Sequence, residues 1–504
     1  MVGSGLRDRE AATREEVGIP RAIWIWALCL GLAVAAITLV RHWYFLSTSY
    51  DMAFYAHAIS QISVGEWTNT MFGFHVFADH FSPILILLAP LAYVAPVEGL
   101  LIVQAVAVGS AVVPAFRLGE HFGGHKTGLL AAAWFGLSAS VWHTVLFDFR
   151  PATLGVVALM WLIAEMETSG RLPQVIGLAA MAASTREDIA ILAGLAIVIF
   201  AVSRRGRALA LVGAATAGVG VWFSTLGVRL FAPFDYFLWY RYADYGRTPG
   251  EVLANLDYAI PTALGRVVRD DPLVALAALV VPMLVVAPFL GWRYAWPGFL
   301  IVLSNAVSAD PYIPTIYYQY YLSAVVFFIW GGVHGCRRQW WADRMPLAWA
   351  AAFAVFIVVG PLGVVMPGQD GRSLKSIVSY HDRQAMAEVL ADVPRDASVS
   401  GGTYLLAHLS GNPEIKPFPA PFVCSPVLLT YYPQTSYPDY VVVETQDLED
   451  FTLQMADLGY ERLRSEHGVT VWRSTGVHPP SITCPPLEEA REGLFERIEG
   501  YAQT

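Results

Sequence analysis

Early in the chain, two carboxylates and two imidazoles stand within a few tens of residues of one another. They lie in the stretch Ser49 to Tyr55, which holds Asp51, in Phe74-His75, and in Ala78-Asp79-His80-Phe81-Ser82-Pro83. Side chains of these types abstract protons or hold a divalent cation. Asp51 sits among aromatic and apolar neighbours just past a long apolar run, which points to function, whereas His57 and Glu66 read as ordinary loop polarity. His75, Asp79 and His80 have the right types for a divalent-cation site, and equally for bonding one another.

Two further clusters follow. In Leu146-Phe147-Asp148-Phe149-Arg150-Pro151 an Asp and an Arg stand two apart, and in Ser184-Thr185-Arg186-Glu187-Asp188 three charges run consecutively between apolar stretches. Ionisable groups so placed are costly in a bilayer unless they line a cavity or pair. The guanidinium of Arg150 suits a phosphate clamp; a structural ion pair with Asp148 is the plain alternative. Arg186 reads as a phosphate-holding group, with an internal salt bridge to Glu187 or Asp188 as its alternative. The segments Phe234 to Tyr245 and Asp310 to Tyr321 are dense in aromatics. They read first as an interfacial belt, and second as a platform against sugar rings to which Arg241 and Tyr317 contribute.

The elements that must position these residues are membrane helices. With 56% hydrophobic residues against 14% charged, the 504-residue chain carries more apolar surface than soluble domains can bury. A net charge of -9 without a Lys/Arg block excludes nucleic acid as the main partner. The first apolar run, Ala22 to Val40, follows a charged segment, lacks a small-residue cleavage site and reads as a retained helix. Further runs lie at Gly99 to Phe116, Thr127 to Leu146, Ala152 to Met166, Leu172 to Ser184, Ile189 to Val202, Ala208 to Leu230, Pro272 to Leu290, Ala295 to Val307, Tyr321 to Gly335 and Pro346 to Met366, about eleven spans in all. The two short runs around Ser184 read as half-crossings that meet in a polar cavity.

Lys and Arg gather in every second loop: Arg117 with Lys126, Arg171, the Arg204, Arg205 and Arg207 group, Arg293, and Arg337, Arg338 and Arg344. The positive-inside rule then puts residues 1–21 in the cytoplasm and all the clusters above on the outer face of the plasma membrane. The apolar stretch Phe81 to Ala95 is expected to be a juxtamembrane or re-entrant helix, because counting it as a span would invert everything after it. The expected division is a membrane part over 22–366, with a long first outer loop at 41–96, and an extracytoplasmic α/β domain over 367–504. In that tail, a helix at Arg383 to Leu390, strands at Ala397 to Ser400 and Tyr440 to Glu444, a helix at Leu448 to Leu458 and a hairpin turning at His467-Gly468 are expected. The tail has no glycine-rich phosphate loop and no nucleophile triad, so it reads as an accessory or acceptor-binding domain. Cys29, Cys336, Cys424 and Cys484 show no CxxC spacing. Cys29 reads as a small core residue, and Cys424 and Cys484 either pair or stay free.

The residues Tyr50-Asp51, Ala78-Asp79-His80-Phe81-Ser82-Pro83, Phe147-Asp148-Phe149 and Glu187-Asp188, in that order, resemble a family of bacterial polytopic membrane proteins defined as domain of unknown function 2079. In that family a His and an acidic residue follow the Asp-Phe pair. Here Arg150, Pro151 and Ala152 take those places, which weakens a metal-ligand or acid role at that turn. More distantly, the layout is similar to the GT-C class of glycosyltransferases: an acid just after the first span, a long outer loop with juxtamembrane helices, a second acid in the next outer loop and a polar tail outside.

That likeness implies a sugar donor carried on polyprenyl phosphate, an acceptor in the cell envelope, and lipid on all sides. It implies Asp51 as the base toward the acceptor hydroxyl, Asp79 or Asp148 as its assistant or a metal ligand, and Arg186 at the lipid phosphate. His80, Arg150, Glu187, Asp188, Arg241 and Tyr317 complete the expected substrate contacts. The fold expected is an all-α membrane bundle of GT-C type with a small α/β tail. The rivals are a transporter or flippase of a lipid-linked sugar, against which no inverted repeat is seen, and a non-catalytic scaffold.

Overall fold

Long apolar runs with few polar interruptions leave the backbone no partner but itself, so they close into helices. In the computed structural model, which describes residues 18–480 apart from interruptions of which the longest are 233–240, 337–343, 362–382 and 423–436, every expected apolar run contains helix. The first, α1 (Arg21–Trp43), buries Ile23, Ala27, Leu30 and Val34 on one stripe, while Trp24, Ile25, Leu28 and Leu32 on the rest of its surface stay exposed. A helix apolar on both faces suits packing on one side and lipid on the other. Cys29 belongs to that exposed surface, not to the core.

After α1, a π-helical turn (Ser49–Ala53) leads into α2 (Phe54–Ser63), a small hairpin of β1 (Thr68–Asn69) and β2 (Phe74–His75), and α3 (Ile84–Leu88) continued by a 3-10 turn (Ala89–Tyr93). Neither α3 nor its continuation is long enough to cross a bilayer. Leu85 and Leu88 face inward, and Ile86, Leu87, Tyr93 and Val94 are exposed, the pattern of an interfacial segment.

Helices α4 (Pro96–Ser110) and α5 (Val112–Gly123) run on as one rod, as do α6 (His125–Gly136) and α7 (Ala139–Phe147). The almost wholly buried α8 (Pro151–Thr168) forms the axis of the bundle. Against it pack α9 (Leu172–Ala183) and α10 (Glu187–Arg204), and α11 (Arg207–Thr225) packs in turn on α10. Among the described residues five helices, α1, the two rods, α8 and α11, are long and apolar enough to cross a membrane. At 12 residues, α9 spans about 18 Å and stops short. At its end Ser184 O accepts from Ile84 N at 2.9 Å and Thr185 O from Ser82 Oγ at 2.6 Å, so the turn is bonded to the first loop.

Beyond α12 (Pro249–Ala254) and α13 (Leu256–Val267), the run expected as one span from Pro272 to Leu290 is broken. Pro282 and the positive-φ residues Leu284 and Val285 divide it into α14 (Asp271–Val280) and α15 (Val286–Leu290). Helices α16 (Trp292–Ala306), α17 (Leu322–Gly335) and α18 (Met345–Val358) complete the bundle.

The tail holds α19 (Arg383–Leu390) and a five-stranded sheet in the order β4-β3-β5-β7-β6. Strand β3 (Ser398–Gly401) is parallel to β4 (Glu414–Pro417) and to β5 (Tyr440–Glu444); β7 (Val469–Ser474) is antiparallel to β5 and to β6 (Tyr460–Glu466). Alternation along β5 sends Val442 to the α19 side and Val441 and Val443 to the other. Cys424, Cys484 and residues 449–453 of the expected helix at Leu448 to Leu458 lie outside the described residues, and residues 455–458 form a turn.

The tail is seated on the first loop. Phe45 inserts among Met386, Val389 and Leu405, and Leu406, Ala407 and Ile415 join the cluster built by Met52, Phe54 and Phe72. His57 Nδ1 donates to Ser410 O at 3.0 Å, Gln61 Nε2 donates to Pro413 O at 2.8 Å, and Ile415 N donates to Thr70 Oγ1 at 3.0 Å.

Candidate active site

One end of the bundle gathers the charged residues singled out above. Asp51 rides on the π-helical turn, an irregularity that tips its carboxylate away from the regular helix that follows. That turn is held by Asp148: Thr48 donates both its N–H, at 2.9 Å, and its hydroxyl, at 2.7 Å, to Asp148 Oδ2. From α4, Gln104 Nε2 donates to Asp148 O at 3.2 Å, and its Oε1 accepts from Arg150 N at 3.1 Å. Arg150, delivered by the extended residues ahead of α8, closes the ring with an ion pair to Asp51. The alternative reading of an Asp148–Arg150 ion pair is not met: Arg150 pairs with Asp51, and Asp148 accepts from Thr48. The guanidinium of Arg150 lies over the Phe147 ring, 4.9 Å from its centre, and its Nε is buried with no hydrogen-bond partner.

The second half of the site is the turn before α10. Glu187 is almost inaccessible, and both its oxygens are used: His80 Nδ1 donates to Oε1 at 2.6 Å and Phe81 N to Oε2 at 3.0 Å. Arg186 forks onto Asp188, so the internal salt bridge is present. Two glycines allow this turn to sit where it does. A Cβ on Gly155 of α8 would collide with Thr185 Oγ1, and one on Gly220 of α11 with Glu187 O, so α8 and α11 approach the turn as closely as only glycine permits. Asp79 lies beside this pair, its Oδ2 4.0 Å from His80 Nε2.

Burial raises the Asp51 carboxyl above its ordinary value; Arg150 opposes the rise and Asp79 adds to it. Asp148 is pushed to about 7, by burial first and then by the charge of Asp51, against the Thr48 hydrogen bonds. Burial disfavours the charged form of His80, yet Glu187 and Asp79 outweigh it and its pKa ends above the ordinary value. Burial, Asp79 and Asp51 together hold the Tyr55 hydroxyl well above the usual phenol range.

Two expected residues, His75 and Tyr317, stand elsewhere. His75 does not join Asp79 and His80 in a metal site: its Nδ1 accepts from Phe77 N at 3.1 Å and its ring packs against Trp67 and Phe231. Among the described residues no group of three or more potential metal ligands is assembled. Tyr317 turns edge-on to His143, 5.2 Å between centres. Of its neighbours, Tyr318 meets Phe147 at 5.2 Å, and Tyr320 lies 5.3 Å from the Arg241 guanidinium. Arg241 therefore stands at the aromatic rim of the site, next to Tyr242, which feels the charge of Asp188.

Over residues 41–474 the sequence matches the protein family described as predicted membrane protein, DUF2079. The chain belongs to that family. No curated protein matches it. Among solved structures, it is similar to the crystal structure of ArnT from Cupriavidus metallidurans bound to undecaprenyl phosphate, with 13% identity, 89% of this chain and 99% of that chain covered, and a TM-score of 0.49. The five long apolar helices agree with the description of this DUF2079 chain as a membrane protein.

Sequence reasoning passed over Thr48, Gln104 and Tyr55. Thr48 and Gln104 carry no charge, and their partners are distant in sequence, so no local signal marks them. Tyr55 is four residues after Asp51, one turn on along a helical path, and that spacing is the signal that would have found it.

Proposed function

We propose that this DUF2079 protein is a membrane glycosyltransferase of GT-C type that transfers a sugar from a polyprenyl-phosphate donor to a cell-envelope acceptor on the outer face. The observation that carries the reading is the mixed cluster at one end of the bundle. The cations Arg150 and Arg186 and the imidazole His80 are interleaved there with the carboxylates Asp51 and Asp79, beside the outward-facing apolar residues Ile86 and Leu87 of α3.

A lipid-borne donor reaches such a cluster sideways, past α3, with its phosphate at the depth of the cations. Arg186 is the group best placed to receive it. Its present partner Asp188 is 47% exposed, so water can take over the carboxylate while a phosphate takes over the guanidinium fork. Arg150, held in place by its ion pair with Asp51, adds a second guanidinium charge to the same cluster. The Tyr318 and Tyr320 rings at the rim present flat apolar faces of the kind that sugar rings stack on. The acceptor then approaches from the aqueous side, under the seated tail, with its hydroxyl toward the carboxylates.

The test is a transfer assay on the full chain in nanodiscs with a panel of radiolabelled polyprenyl-phosphate sugars and membrane-extract acceptors. Wild type is expected to transfer label, and Arg186→Ala to bind donor about tenfold or more weakly. Asp51→Asn, which leaves Arg150 without its charged partner, is expected to lose turnover while retaining donor. Donor binding without transfer by the wild type favours transport of a lipid-linked sugar instead.

A further inference from the structure

We propose that Asp79, His80 and Glu187 form a proton relay in which Asp79 takes the acceptor's proton and His80 hands its own to the departing phosphate. The inference rests on the transferase reading above and assigns the acid–base chemistry within it.

The argument begins with which carboxylate is at liberty. Asp51 is paired with Arg150, Asp148 accepts two bonds from Thr48, Asp188 is bound by Arg186, and Glu187 is occupied at both oxygens. Asp79 alone of these five accepts no hydrogen bond from the described residues, and its side chain is 23% exposed. Glu187 is bonded at both oxygens, Asp51 and Asp188 hold the charges of Arg150 and Arg186, and Asp148 holds the Thr48 turn, so each would weaken an existing bond by taking a proton; Asp79 gives up no hydrogen bond among the described residues. The sequence-based assignment of the base to Asp51 is thereby moved to Asp79, and Asp51 becomes a positioning residue for Arg150.

The second step concerns His80. Because Nδ1 donates to a carboxylate oxygen, the Nδ1 proton is fixed, and only Nε2 is available for proton exchange. Glu187, anchored by the Phe81 N–H and pressed upon by Gly220, holds the ring so that Nε2 turns to Asp79 at 4.0 Å. The charged groups facing the ring are Glu187 and Asp79, which favour its protonation, Arg186, which opposes it, and Asp51, whose carboxyl feels the His80 charge in return. The resulting preference for the charged imidazole loads Nε2 with the proton that the relay needs.

The reaction balances without a further co-reactant. The acceptor oxygen bonds to the anomeric carbon as its proton passes to Asp79. The bond from that carbon to the phosphate oxygen breaks, and the electron pair leaves with the phosphate, which takes the Nε2 proton of His80. The proton on Asp79 then moves to Nε2, which restores both groups, so that the net transfer is from acceptor hydroxyl to lipid phosphate. Asp79 and His80 touch reacting atoms; Glu187 acts through His80 and is a positioning residue.

The experiment uses the full chain in nanodiscs, with a polyprenyl-phosphate sugar as donor, and records turnover against pH for wild type, Asp79→Asn, His80→Lys and Glu187→Gln. The titration of His80 is followed in parallel by NMR in substrate-free protein. Asp79→Asn is expected to lower kcat about 10²–10⁴-fold with donor affinity unchanged. In Glu187→Gln, both the alkaline limb of the profile and the His80 titration are expected to move to lower pH. His80→Lys keeps a cation and donor binding but is expected to lose turnover and the wild-type alkaline limb.

Full turnover by His80→Lys, or a His80 titration unmoved in Glu187→Gln, overturns the relay and leaves the transferase standing. A wild type that transfers from none of the donors overturns the transferase reading and the relay with it.

Discussion

Helix α8 carries buried charge at both of its ends, and the two ends are built differently. Near its C-terminal end, Glu167 accepts from Trp330 Nε1 at 2.8 Å and from His334 Nε2 at 3.0 Å, with Arg204 3.9 Å away. The neighbouring Glu165 is bonded by Ser169 and lies 3.9 Å from Arg117, which itself donates to Thr168 at 3.0 Å. His334 is clamped between the rings of Phe122 and Tyr294. Every one of these carboxylates has fixed donors. At the N-terminal end, Arg150 keeps an Nε without a partner and Asp79 accepts no hydrogen bond from the described residues. Burial of charge by itself therefore does not mark a functional site. A buried network in which donors and acceptors match is a brace for α8, α10 and α17, and one left partly unmatched has bonds to offer a substrate.

That contrast is open to direct attack. Replacing Glu167 by Ala strands Trp330, His334 and the Arg204 charge, and is expected to cost about 3–5 kcal/mol of stability; thermal unfolding in detergent reads this. If Glu167→Ala instead left the melting temperature in place, the C-terminal network would not be a brace. A smaller loss, about 1–3 kcal/mol, is expected for Gly220→Ala, whose methyl group would push α11 off the Glu187 turn. There the informative comparison is with Gly218→Ala on the same helix, where nothing lies within 4 Å of the added methyl and no loss is expected.

The mildest test is of pH. Because the fold raises Asp148 to about 7 from an ordinary 3.8, the folded chain binds this proton more tightly than the unfolded one. Its contribution to stability thus falls as pH rises from about 3.8 to about 7, and is level above that range. Asp148→Asn should remove that slope from a melting-temperature profile while keeping an oxygen to accept from Thr48; a slope that persists would place its origin elsewhere.

Much of the fold was legible in advance. The apolar runs form helices, the helix within Phe81 to Ala95 is too short to cross a bilayer, and α19, β5 and the β6–β7 hairpin fall where alternation and periodicity put them. Strand β4 was missed, because Glu414, Lys416 and Pro417 give no strand signal and only the parallel edge of β3 makes it one. The continuous run from Pro272 to Leu290 misled because hydropathy does not register the break at Pro282 to Val285. Glu165 and Glu167 were passed over because they lie at the very end of a run read as Ala152 to Met166, where two acids look like a helix leaving the bilayer.

For the site, residue types were readable and partnerships were not. Asp51, Asp79, His80, Asp148, Arg150, Arg186, Glu187 and Asp188 were all singled out because a charge in an apolar setting is costly wherever it is found, and that cost is visible in one dimension. Which charge meets which is decided by helix crossings tens to hundreds of residues apart: Asp51 with Arg150, Thr48 with Asp148, His80 with Glu187. The sequence alone determined that this chain lives in a membrane and that it concentrates charge between its helices, since both follow from local composition and the expense of burying ions. Only the tertiary structure decided that Asp148 is spent on holding a turn, that His75 and Tyr317 pack elsewhere, and that Asp79 accepts no hydrogen bond from the described residues. Direction and distance between side chains are properties of packed helices, not of the order of residues.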